Sequence, residues 1–193
     1  MKIAIIAPRG YPVPSVRGGA VESLITDFII ENEKKKQLEI DLITIEDEKA
    51  NLIRKKYKYV NFLVVEFEKN IFWKFYKNII EKYVKKNIFF QKVKNYILKK
   101  IYVKKIIKYL GKKEYDFLIT EGGNVLEYKN VYKKIKNRTK SILHVHGEML
   151  GNEFLKSNYN YFLCTSNYIK NKITENLIIP IDRARCLYNG ISI

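Results

Sequence analysis

Lys2-Ile3-Ala4-Ile5-Ile6-Ala7-Pro8, a long turn from Arg9, and then Gly18-Gly19-Ala20-Val21-Glu22 decide the fold of this chain. After Lys2, residues 3–7 make an unbroken apolar run closed by proline, the pattern of a parallel strand buried on both faces. Ala20–Lys35 then carries Val21, Leu24, Ile25, Phe28 and Ile29 on one side, which predicts a helix. Working outward, strands are expected over 38–45, 59–67, 115–120, 141–146 and 161–165, and 184–188 is a last apolar stretch. Helices are expected over 72–86, 89–110, 125–136 and 167–176, with Asn87 as a break and Gly111 as a stop. Such alternation predicts an α/β domain: a Rossmann-like, mostly parallel sheet with helices on both faces, spanning residues 1–180.

The 193 residues are 47% apolar and 30% charged, which excludes a disordered chain. No apolar run is long enough for a membrane helix, and the opening run lacks the pattern of a secretory leader. Cys164 and Cys186 form neither a disulfide framework nor a metal spacing and fit a reducing cytosol. The formal charge is +17, but Lys far outnumbers Arg amid many Ile, Asn and Tyr, as AT-rich coding writes into any protein. The charge therefore carries meaning only where it is localised. Residues 71–113 hold 14 Lys against the single acid Glu81, so that segment alone carries +13. It also holds ten aromatics, from Phe72 and Trp73 to Tyr109.

In an open α/β sheet, ligands sit beyond the carboxyl ends of the strands. Those ends offer Arg17-Gly18-Gly19, Glu46-Asp47, Glu121-Gly122-Gly123, His144-Val145-His146-Gly147-Glu148 and Thr165-Ser166-Asn167. Glycines ahead of a helix let backbone N–H groups approach a phosphate, although they also serve a plain helix start. A dinucleotide fingerprint and a Walker loop are both disfavoured, because the glycines fit neither spacing. His144 and His146 share one face of their strand, and His146 overhangs its end, where imidazole can bind a sugar hydroxyl or phosphate or move a proton. Histidines at this spacing also suit a metal, but no carboxylate or cysteine accompanies them in sequence, so no metal is expected. Glu121 could bind ligand hydroxyls or serve a polar turn. Glu46 and Asp47 could grip a ribose, and a solvated turn is the plainer reading.

Together these pieces resemble the N-terminal half of a GT-B glycosyltransferase of the large retaining family (family 4-like) that includes bacterial polysaccharide and glycolipid enzymes. The resemblance rests on residues 2–8, the Gly18-Gly19-Ala20-Val21-Glu22 helix start, Ile142-Leu143-His144-Val145-His146-Gly147, Phe162-Leu163-Cys164-Thr165-Ser166-Asn167, and Leu187-Tyr188-Asn189-Gly190-Ile191. It implies one half of a GT-B fold that holds the acceptor, while a second domain binds most of a UDP- or GDP-linked sugar. It assigns Gly18 and Gly19 to the donor diphosphate and His146 to the catalytic position. Arg17, Glu22, Glu121, Gly122 and His144 are assigned to a glycan or lipid-linked acceptor. The nucleotide-sugar is a co-substrate, and neither cofactor nor metal is implied. Residues 181–193 are expected to begin the linker to the donor domain, so this chain alone is expected to be inactive, as a truncation or as a subunit of a split enzyme.

Under that resemblance the basic aromatic helices suit an anionic lipid surface on the inner face of the cell membrane, with Trp73, Lys74, Lys77, Lys85 and Lys86 facing it. The plainer alternative packs the aromatics on the sheet and leaves the lysines in water. A nucleic-acid-binding protein is a rival on the same charge, but no recognition motif accompanies it. A nicotinamide enzyme and a non-catalytic scaffold are the remaining alternatives.

Overall fold

The computed structural model describes residues 1–84, 87–111, 113–122, 128–135, 139–147, 159–177 and 179–188. Seven parallel strands form one sheet: β1 (Lys2–Ile6), β2 (Glu39–Ile45), β3 (Val60–Val65), β4 (Phe117–Glu121), β5 (Lys140–Val145), β6 (Tyr161–Cys164) and β7 (Ala184–Cys186). Their order is β3-β2-β1-β4-β5-β6-β7, so the chain winds outward from β1 in one direction and then in the other. The switch point falls between β1 and β4, and in open sheets of this kind ligands bind at the carboxyl edge there.

Neighbouring residues of β1 explain its unbroken apolar run. Ile3 and Ile5 pack with Ile25 and Ile29 of α1 (Ala20–Lys35) on one face. Ala4 and Ile6 pack on the other with Tyr102, Ile106 and Leu110 of a long helix, α4 (Ile88–Leu110). Each Ile or Leu buried this completely contributes about 1.5–3 kcal/mol relative to an exposed one. A third cluster joins Leu143, Val145, Phe162 and Cys164 to Ile169 and Ile173 of α6 (Asn167–Leu177). The Rossmann-like expectation thus holds, with helices on both faces.

Two elements depart from the sequence reading. Glu46-Asp47-Glu48 is more than a solvated turn, because it starts a short helix, α2 (Glu48–Arg54). Asp47 caps it, accepting a hydrogen bond from Ala50 N at 3.1 Å. Of the helix expected over 125–136, the described part contains only one turn, α5 (Lys129–Tyr132).

The basic segment forms α3 (Ile71–Val84) and then α4, with Asn87 capping α4 through Phe89 N at 2.8 Å. Trp73, expected to face a membrane, is instead 3% exposed and packs with Ile80 of its own helix and Ile101 of α4. Its indole donates to Glu68 Oε1 at 3.3 Å. The physical reason is that α3 is apolar on two sides, and the Trp73–Ile80 stripe, one heptad apart, is the one that meets α4. Outside that stripe, Ile71, Phe72, Phe75, Tyr76, Ile79 and Tyr83 are exposed to solvent. Lys74 is exposed, Lys77 pairs with Glu68 at 2.9 Å, and Lys85 and Lys86 lie outside the described residues. No helix among the described residues is long and apolar enough to cross a membrane.

Candidate functional site

The loop after β1 is tied down before it reaches α1. Val13 N donates to Thr44 Oγ1 at 2.9 Å, and Val13 O accepts from Arg54 Nε at 2.9 Å. Ser15 N then donates to Thr26 Oγ1 at 2.9 Å, and Ser15 Oγ to Gly18 O at 3.0 Å. Gly18 and Gly19 hold φ of 82° and 99°, a region that side chains disfavour. A Cβ at Gly19 would also meet the Glu22 carboxylate, which would have to move aside. Gly19, the N-cap residue of α1, makes no side-chain capping bond, and Glu22 is the acidic residue of the first turn. Glu22 is itself buried beneath this turn. Arg17 does not join the histidines: its Nε meets Asp47 Oδ2 at 2.5 Å. Burial pushes the Asp47 carboxyl up, but the Ala50 N–H and the Arg17 guanidinium outweigh it and hold the group below its ordinary value.

Across the switch point, β4 and β5 pair with Glu121 opposite His144. Glu121 Oε2 lies 2.9 Å from His144 Nδ1 and 2.8 Å from His146 Nε2. The two rings sit 4.2 Å apart between centroids. Glu121 and His144 are buried, and His146 is partly exposed. Gly122, at φ 62°, follows directly, and its absent side chain would stand beside the His146 ring. A carboxylate therefore does accompany the histidines, which corrects the sequence reading on that point.

Burial drives the Glu121 carboxyl upward, yet the hydrogen bonds from His144 and His146 overcome this and leave it below its ordinary value. An ionised carboxylate only accepts, so both contacting ring nitrogens carry the hydrogen. In a neutral ring the remaining nitrogen is then an acceptor, which for His146 is Nδ1. For His144 it is Nε2, which is buried with no hydrogen-bond partner among the described residues.

Other sequence candidates have structural duties. Glu46 Oε1 accepts from Asn51 Nδ2 at 2.5 Å, and Ser166 Oγ accepts from Ile169 N at 3.2 Å at the start of α6. Gly123, Glu148 and Asn189-Gly190 lie outside the described residues. The grouping that sequence reading missed is Glu121 with both histidines, because strand register, which is not written locally, brings it about.

No protein-family model matches the chain, and no curated protein matches it. Among solved structures, UDP-GlcNAc 2-epimerase from Methanocaldococcus jannaschii matches with a TM-score of 0.56 and 14% identity, over 98% of this chain and 46% of that one. The likeness is one of fold. The chain has a Rossmann-like fold of the GT-B-like kind and spans about half the length of that structure.

Proposed function

We propose that this chain is the acceptor-binding half of a nucleotide-sugar-dependent enzyme that works on an anionic membrane surface, and that the enzyme is a retaining glycosyltransferase. The observation that carries the reading is His146, held by Glu121 at the carboxyl edge beside the switch point with one ring nitrogen left to accept. In this reading His146 receives a hydroxyl of the transferring sugar, and the Gly18-Gly19 turn brings N–H groups and the α1 dipole toward the donor diphosphate. A second Rossmann-like domain, in the same polypeptide or in a partner, supplies the rest of the donor site. The acceptor oxygen bonds to the anomeric carbon as the bond to phosphate breaks. The electron pair leaves with the nucleoside diphosphate, and the acceptor proton passes to the departing phosphate oxygen. None of these steps uses a metal.

The outward side of α3 supports the membrane part, because its aromatics face solvent beside exposed lysine. A lipid-linked glycan is the acceptor that such a surface favours. The fold match favours a second reading, isomerisation of the sugar on its nucleotide without an acceptor.

The test is incubation of the two-domain enzyme with UDP- and GDP-sugars, with and without a lipid-linked glycan, followed by mass spectrometry. Transfer that depends on acceptor and falls by orders of magnitude in His146→Ala is expected. Acceptor-independent isomerisation would establish the second reading, and unaltered transfer in His146→Ala would remove that residue from the mechanism.

A further inference from the structure

Glu121 ends β4, and His144 and His146 stand on one face at the end of the adjacent strand β5. One ligand atom from each of the three lies within 4.8 Å of the others. Two of these separations are 2.9 and 2.8 Å. A tetrahedral ion bonded at 2.0–2.2 Å needs ligands roughly 3.3–3.6 Å apart, so Glu121 Oε2 must draw back from both rings by about half an ångström or more, with the two ring nitrogens adjusting about the ion.

We propose that Glu121, His144 and His146 form a binding site for a divalent transition-metal ion of the zinc class. Two imidazoles and one carboxylate suit zinc, cobalt, nickel or iron(II) better than magnesium or calcium, which prefer oxygen alone. The Glu121 carboxyl group is buried, where the attraction of a carboxylate for a cation is screened least.

Loading the ion requires the ring protons to leave the coordinating nitrogens. In His144 the proton moves from Nδ1 to Nε2, and Nε2 has no partner among the described residues in either state, so the exchange costs no hydrogen bond there. In His146, which is partly exposed, the proton moves to Nδ1, so the ion-loaded form is distinct from the metal-free form in which that nitrogen accepts a sugar hydroxyl. Three protein ligands leave a coordination position for water or a ligand oxygen. Gly122, without a side chain beside the His146 ring, keeps that side uncrowded.

The proposal stands apart from the transfer reading, since binding is measured on this chain with no sugar present. The 193 residues contain only two histidines, so imidazole coordination in the untagged protein has one source. Cobalt(II) is titrated into the chain and followed by visible absorption, and zinc is then used to displace it. One ion per chain is expected, with affinity reduced on the order of 100-fold or more in His146→Ala and in Glu121→Gln. The Cys164→Ser, Cys186→Ser variant should bind as the parent does. His146 is the partly exposed ligand, so His146→Ala is the decisive variant, with circular dichroism confirming that it is folded. Absence of a cobalt band in the parent, full affinity in folded His146→Ala, or loss of binding in the cysteine variant would each overturn the site.

Discussion

Replacing Phe72 and Phe75 together with alanine tests whether α3 meets a lipid surface, and the size of the effect follows from their exposure. They are 69% and 74% exposed, whereas Trp73 on the same helix is buried. Fully burying a Phe side chain gains about 1.5–3 kcal/mol, so sinking the exposed two thirds of each ring gains about 1–2 kcal/mol. Losing both should reduce partitioning by about 2–4 kcal/mol, on the order of 30-fold or more. Neither ring supports the core, so thermal unfolding of the variant should match that of the parent. The assay is sedimentation with vesicles of phosphatidylcholine alone or mixed with phosphatidylglycerol, at low and high salt. The parent should favour the anionic vesicles, and added salt should weaken binding, because each lysine close to such a surface contributes about 1 kcal/mol. Equal partitioning of parent and double variant would refute the insertion argument. A salt-dependent preference that survived the loss of both rings would leave electrostatics as the whole of the attraction.

Trp73→Ala should act in the opposite sense, costing about 3–5 kcal/mol of stability in urea unfolding because it empties the α3–α4 contact; a cost under 1 kcal/mol would mean that the indole does not pack there. Gly19→Ala should destabilise the fold more than Gly18→Ala, since both positions hold positive φ but only at Gly19 does a Cβ meet the Glu22 carboxylate. Adding Glu22→Ala should restore part of that loss in thermal melts. Asp41 is surrounded by Lys113 at 2.8 Å, Tyr115 at 2.5 Å and Asn61 at 2.7 Å. Burial raises its carboxyl, but these three partners prevail and hold it below its ordinary value. A depressed folded pKa gives stability that is present above the unfolded value, about 4, and is lost as pH falls through the folded one. Asp41→Asn should therefore flatten the acid limb of stability against pH in urea titrations, whereas an unchanged limb would show that the network does not bias Asp41 toward its ionised form.

How far the sequence could be read depended on whether the deciding interaction was local. Helix α1 was legible to the residue because its apolar stripe and the Gly18-Gly19 pair lie within one segment. Helix α2 escaped because its short apolar content gives little periodicity, and only the capping geometry of Asp47 marks its start. The doubled apolar character of α3 was visible as composition, but which side faces inward was settled by the partner helix α4, and that choice turned Trp73 from a surface residue into a core one. The histidine pair was legible for the same local reason as α1, since a two-residue spacing on a strand puts both rings on one face. Its carboxylate was not, because Glu121 reaches the rings only through the parallel pairing of β4 with β5, 23 residues apart in sequence. Glu121 was nonetheless on the candidate list, since topology alone predicts that ligand-binding groups gather at strand carboxyl ends. The candidate site was thus readable as a place before it was readable as a constellation. Strand register then assembles the groups at that place: pairing β4 with β5 sets Glu121 Oε2 2.9 Å from His144 Nδ1 and 2.8 Å from His146 Nε2, and these contacts hold the carboxyl below its ordinary value despite its burial.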